Sequence, residues 1–130
     1  MTYRALLFPL ILAACSLETE VPDGRAAFAA NCAGCHGADA MGRGTITRDT
    51  GIITPDLTTL AKRNGGTFPR TYVMATIDGL DRGAHFSNAM PEFGAGDLGE
   101  AVIVEMDGLG TPVPLVLLAL TDYLESIQQD

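Results

Sequence analysis

The residues best able to do chemistry stand together at Asn31-Cys32-Ala33-Gly34-Cys35-His36-Gly37. Two cysteines separated by two residues and followed at once by histidine form the attachment pattern of a c-type haem. On a turn of helix Cys32 and Cys35 lie three apart on one face, so their sulfurs can reach the two vinyl groups of one porphyrin as thioethers. His36 then presents its imidazole to the iron through one ring nitrogen, while the other donates to an acceptor that fixes ring orientation and basicity. Competing uses of these residues are weaker. A thiol redox pair belongs in a βαβ context that this stretch lacks. A zinc site takes about four ligands, and the only other histidine, His85, has no second cysteine pair beside it. A Cys32–Cys35 disulfide would close a loop too short to constrain much of the unfolded chain.

Residues 1–14 stand apart from any fold. Arg4 supplies a positive charge, Ala5 to Ala14 is apolar throughout, and small residues end the run, which is the pattern of a secretory leader. It is too short to span a bilayer, which takes roughly 20 apolar residues. Leu12-Ala13-Ala14-Cys15 resembles the lipobox of bacterial lipoproteins. That resemblance implies cleavage before Cys15, lipidation of Cys15 and attachment to a membrane of the cell envelope, facing the periplasm. Ser16 next to the cysteine resembles outer-membrane sorting in Gram-negative bacteria. All three cysteines are then consumed, one by lipid and two by haem. Residues 15–22 read as a lipidated tether ending at Pro22.

Residues 23–130 are enough for one domain. Arg4 is the leader's only charge, so the remainder carries 7 basic against 16 acidic side chains. Nucleic acid is an unsuitable partner for such a balance. Asp23 is placed to cap a helix over Gly24 to Cys32, in which Gly24, Phe28 and Cys32 fall four apart on one face. A glycine, an aromatic and the first haem cysteine at this spacing resemble the N-terminal helix of class I cytochromes c. The resemblance implies that Gly24 lets a C-terminal helix cross closely and that an aromatic of that helix, here Tyr123, packs against Gly24 and Phe28.

The resemblance extends along most of residues 23–130. Gly37 to Pro55 is rich in glycine and small polar residues and reads as a loop over one side of the haem. Thr54-Pro55-Asp56-Leu57 resembles the family's proline turn, which implies that the Pro55 carbonyl accepts the free N–H of the ligand histidine and that Leu57 lies against the porphyrin. Short helices are expected from Asp56 or Thr58 to Lys62 and from Pro69 to Ile77, with Tyr72, Val73 and Ile77 toward the core. Arg63, Arg70 and Tyr72 are candidate propionate donors. Met90-Pro91, 54 positions after His36, resembles the distal Met-Pro of the family and makes Met90 the expected sixth ligand, a soft thioether that favours ferrous iron. His85 is the main competitor, and Met74 reads as core. Residues 100–113 depart from the family pattern, their β-branched run and Asp107-Gly108 suggesting a small hairpin. A closing helix starts after Pro114, with Leu115, Leu118, Tyr123, Leu124 and Ile127 at helical spacing.

The expected fold is all-α, a class I cytochrome c fold of about four short helices around one covalent haem c, with a possible hairpin insert. The expected function is the carriage of single electrons between redox proteins, without a small-molecule substrate. Iron held by His36 and Met90 leaves no open position for one. A haem subunit of a larger oxidoreductase, or a haem-based ligand sensor or peroxidase-like protein, is the alternative. From Glu92 to Asp130 there are eight acids and no base, so the expected partner is a redox protein with a basic docking surface.

Overall fold

A computed structural model describes residues 20–81, 89–106 and 108–129. The leader at 1–14, the expected lipid site Cys15 and the alternative ligand His85 lie outside them. The described residues form six helices and one two-stranded antiparallel sheet, the mostly helical architecture with a hairpin insert that the sequence implies.

Helix α1 (Gly24–Asn31) starts where Asp23 Oδ1 accepts from the Arg25 and Ala26 amides at 2.9 and 3.2 Å, satisfying donors that a first turn otherwise leaves free. It is interrupted at Cys32 (φ −115°, ψ −33°) and resumes as α2 (Ala33–His36). The closing helix α6 (Leu115–Ser126) crosses α1. Their approach is so close that a Cβ on Gly24 would fall inside the Ala119 carbonyl and 3.1 Å from Tyr123 Cβ. Phe28, 2 % exposed, meets Tyr123 with ring centroids 5.4 Å apart in a tilted arrangement. Burying a side chain of this size contributes about 1.5–3 kcal/mol, with an additional aromatic-pair term. Along α6 the fully buried face is Leu117, Leu120 and Leu124, while Leu118, Tyr123 and Ile127 flank it half-buried.

Helix α5 (Arg70–Asp78) packs on α6 through Val73, Met74 and Ile77. Tyr72 does not join them. It is 51 % exposed, because one position before Val73 turns it by about 100° around the helix axis. The segment expected as loop between Gly37 and Pro55 contains a helix, α3 (Thr45–Thr50), bounded by Gly44 and Gly51. Its threonines and isoleucine are weak helix formers, and a contact far away in sequence holds it, as described below. Leu57–Thr59 forms a 3-10 turn that runs into α4 (Leu60–Arg63).

Strands β1 (Ala101–Met106) and β2 (Leu109–Pro114) pair in register from Ala101↔Pro114 to Met106↔Leu109. Val102, Val104, Thr111 and Val113 form the face turned to the core, and Val113 is buried. The other face leaves Ile103 71 % exposed. The hairpin delivers the chain directly into α6, the Leu115 amide donating to the Glu100 carbonyl at 2.9 Å.

Candidate functional site

The Cys-x-x-Cys-His stretch is helical at the point where it matters. The Cys35 and His36 amides both donate to the Cys32 carbonyl, at 3.1 and 2.9 Å. The one turn that results carries both thiols and the imidazole. Three donors converge on the Cys35 carbonyl behind it: Thr47 Oγ1 at 2.7 Å, Thr54 Oγ1 at 3.0 Å and the Gly44 amide at 3.0 Å. Gly44 can come this near only without a side chain, since an added Cβ would stand 2.6 Å from the Cys35 carbonyl carbon. These bonds lock α3 against the motif, and they carry no local signal because threonines among glycines resemble any polar loop.

Cys32 and Cys35 are free thiols, each half-buried. Burial pushes the Cys32 thiol up to about 11, and its neighbour Cys35 adds to the effect, so the thiol is protonated at neutral pH. His36 is 8 % exposed. Burial lowers its pKa, with the Pro55 carbonyl opposing. The ring is therefore neutral at pH 7, the form with a lone pair to give a metal. Nδ1 is buried and makes no hydrogen bond of normal geometry, although the Pro55 carbonyl is near enough to act on the ring. A neutral, buried imidazole without a completed hydrogen bond, next to two half-buried thiols, fits covalent haem at this turn.

The turn that presents Pro55 and Leu57 is held from two sides. Asp56 Oδ1 accepts from the Thr58 amide at 2.8 Å and the Thr58 hydroxyl at 2.6 Å. From the far end of the chain, Gln128 Nε2 donates to the Leu57 carbonyl at 2.8 Å while its Oε1 accepts from the Ala61 amide at 2.8 Å. The Gln129 amide adds a bond to the Thr58 carbonyl at 2.7 Å. Sequence reasoning missed this clamp, for a glutamine at a helix end carries no signal of a partner about 70 positions away. Leu57 itself packs half-buried against the core, as do Met90 and Phe93. Met90 sits in the turn ahead of the 3-10 turn Phe93–Ala95, which lies on α5. Met74 is 5 % exposed within α5.

Two of the candidate propionate donors are engaged elsewhere. Arg63 donates to Thr59 Oγ1 at 3.0 Å and to the Asp56 carbonyl at 2.8 Å. Arg70 is bound to Asp122 and, at 2.7 Å, to Glu125 of α6.

Residues 19–106 match the family described as cytochrome C oxidase, cbb3-type, subunit III. The chain belongs to that family. It is a c-type cytochrome, and the domain is an electron carrier that is not itself catalytic. Comparison with curated proteins and with solved structures gives no match. The family match ends inside the hairpin, so β2 and α6 of this cytochrome lie beyond it. Among the described residues no helix is long and apolar enough to cross a membrane.

Proposed function

We propose that this cytochrome is a class I, monohaem protein that carries single electrons in the bacterial cell envelope, attached to haem c through Cys32 and Cys35 and ligating iron through His36 and Met90. The observation that carries the reading is the single helix turn bearing both thiols and a buried, neutral imidazole beside the Pro55 carbonyl. A haem c supplies reversible one-electron chemistry at its iron. The chain's own contribution is to hold the imidazole in one orientation, to offer the Met90 thioether and to pack Leu57 beside the site. One Cys-x-x-Cys-His per chain supports one haem.

In this reading residues 1–14 are removed, Cys15 carries the lipid, residues 15–22 are the tether and residues 23–130 the electron-carrying domain at the periplasmic side, with the outer membrane favoured. The partner is a redox protein with a basic surface. A second reading, a haem subunit of a larger oxidoreductase, is favoured by the family's description as an oxidase subunit and by the exposed Ile103 face of the hairpin. Copurification from gently solubilised membranes separates them: an isolated protein supports the carrier, and a stoichiometric complex supports the subunit.

Denaturation in acidified acetone tests the attachment. Haem stays with the wild-type polypeptide at one per chain, and Cys32→Ala with Cys35→Ala releases it into the solvent. Haem extracted from the wild type would contradict the proposal. Cys15→Ser tests the anchor: the variant leaves the membrane fraction, and retention equal to wild type would rule the lipid out.

A further inference from the structure

Besides His36 Nδ1, one buried side-chain polar atom among the described residues has no hydrogen-bond partner, the hydroxyl oxygen of Thr76 in α5. A helical threonine ordinarily donates to the carbonyl one turn back. Thr121 does so to Leu117 at 2.8 Å and Thr50 to Ile46 at 2.6 Å. Thr76 does not. An unpaired buried hydroxyl forfeits its bonds to water without return, so this position suits an acceptor completed only in the haem-bound protein.

The surroundings indicate which acceptor. Val73 and Thr76 lie three apart on one flank of α5, and Gly79, three positions further, is the left-handed C-cap that ends the helix. Val73 is buried at one end of that flank. At the other end Glu92 covers Gly79, where an added Cβ would stand 2.9 Å from Glu92 Cγ. Farther along the same chain, a Cβ on Gly94 would meet the Asp78 carbonyl at 2.5 Å. Residues 92–94 thus cross the C-terminal end of α5, and Met90, two positions before Glu92, packs against the cluster containing Val73, Met74 and Ile77.

We propose that Thr76 is a positioning residue for the distal ligand, its hydroxyl donating a hydrogen bond to the Met90 sulfur when that sulfur is held on iron. This rests on Met90 being the sixth ligand. A donor on the thioether draws electron density from the sulfur, which weakens its donation to ferric iron more than to ferrous iron and raises the reduction potential. The hydroxyl also restrains the thioether against leaving.

The test compares full-length holoprotein of the wild type with Thr76→Val, which keeps the shape and removes the hydroxyl, and Thr76→Ser, which keeps the hydroxyl. Two properties are read: the reduction potential, and the far-red charge-transfer band of thioether-ligated ferric haem. Thr76→Val lowers the potential and shifts the band, and Thr76→Ser restores both to near wild-type values. An unmoved potential and band in Thr76→Val overturns the proposal, as does a Thr76→Ser variant displaced as far as Thr76→Val. A wild type that lacks the thioether band overturns the Met90 assignment itself and this inference with it. A normal wild-type band that is indifferent to Thr76 overturns the inference alone.

Discussion

At the scale of single residues, the two expected axial ligands face different demands. His36 must be neutral and fixed, and its burial beside the Pro55 carbonyl supplies both conditions. Met90 must be soft and retained, and it packs half-buried against the core cluster. Met90→Ala therefore lowers the reduction potential and opens the reduced iron to carbon monoxide at neutral pH. An unchanged potential and spectrum would assign the position to His85 instead. Asp56 carries a pH signature. The Thr58 hydroxyl bond, helped by the Thr58 amide and the charges of Arg63 and Arg43, holds its carboxyl below the ordinary 3.8 against a desolvation that acts the other way. A carboxyl with a depressed folded-state pKa stabilises the protein fully above its unfolded value, and that contribution disappears as pH falls through the folded value. Asp56→Ala is accordingly less stable than wild type by about 0.5–2 kcal/mol at pH 7, the usual cost of a lost cap. The gap closes as pH falls below about 4. Thermal melts at pH 7 and pH 3 measure it, and an equal gap at both would contradict the assignment.

At the scale of elements, the crossing of α1 and α6 positions the motif, because α2 continues directly from α1. Gly24→Ala forces the Ala119 carbonyl away and costs about 1–3 kcal/mol or more by overpacking. It should lower the thermal midpoint and loosen the pocket, and an unchanged midpoint would show that the helices can part without loss. This crossing was legible through the resemblance to class I cytochromes c, which implied that Gly24 and Phe28, four apart on one helix face, meet Tyr123 of the closing helix. The hairpin was legible from adjacent residues, a β-branched run followed by Asp107-Gly108. Helix α3 was not. Thr45, Ile46, Thr47 and Thr50 give a poor local helix signal, and what holds them is the Thr47 bond to the Cys35 carbonyl, twelve positions away. The Gln128 clamp on Leu57 was hidden likewise. Contacts between distant polar side chains and backbone have no period to betray them. Thr47→Val removes one of three donors to the Cys35 carbonyl, and its expected outcome is a loss of about 1 kcal/mol.

At the scale of the whole molecule, six acids of the run from Glu92 lie among the described residues, in two groups. Asp122 and Glu125 are matched internally by Arg70. Glu92, Asp97, Glu100 and Glu105 remain exposed around the Met90 segment and the hairpin. That second group is the surface proposed to attract a basic redox protein, and salt should screen the attraction over a Debye length of about 10 Å at 0.1 M. Stopped-flow rates with a basic partner are expected to fall steeply with ionic strength, and Glu92→Lys with Asp97→Lys to flatten the slope. A flat native curve or an unaltered slope in the double variant would place docking elsewhere. Arg70→Ala, which frees Asp122 and Glu125, should leave that slope alone and reduce stability modestly, since pairs this exposed contribute roughly 0–1 kcal/mol each. In the proposed function the chain holds one haem c, saturated by His36 and Met90, for electron transfer alone. Visible spectra recorded through a potentiometric titration of the purified holoprotein test it most directly, with carbon monoxide added at the reduced end. One reversible one-electron wave and a reduced spectrum indifferent to carbon monoxide are expected. More than one wave, or a carbon monoxide adduct formed at neutral pH, would contradict it.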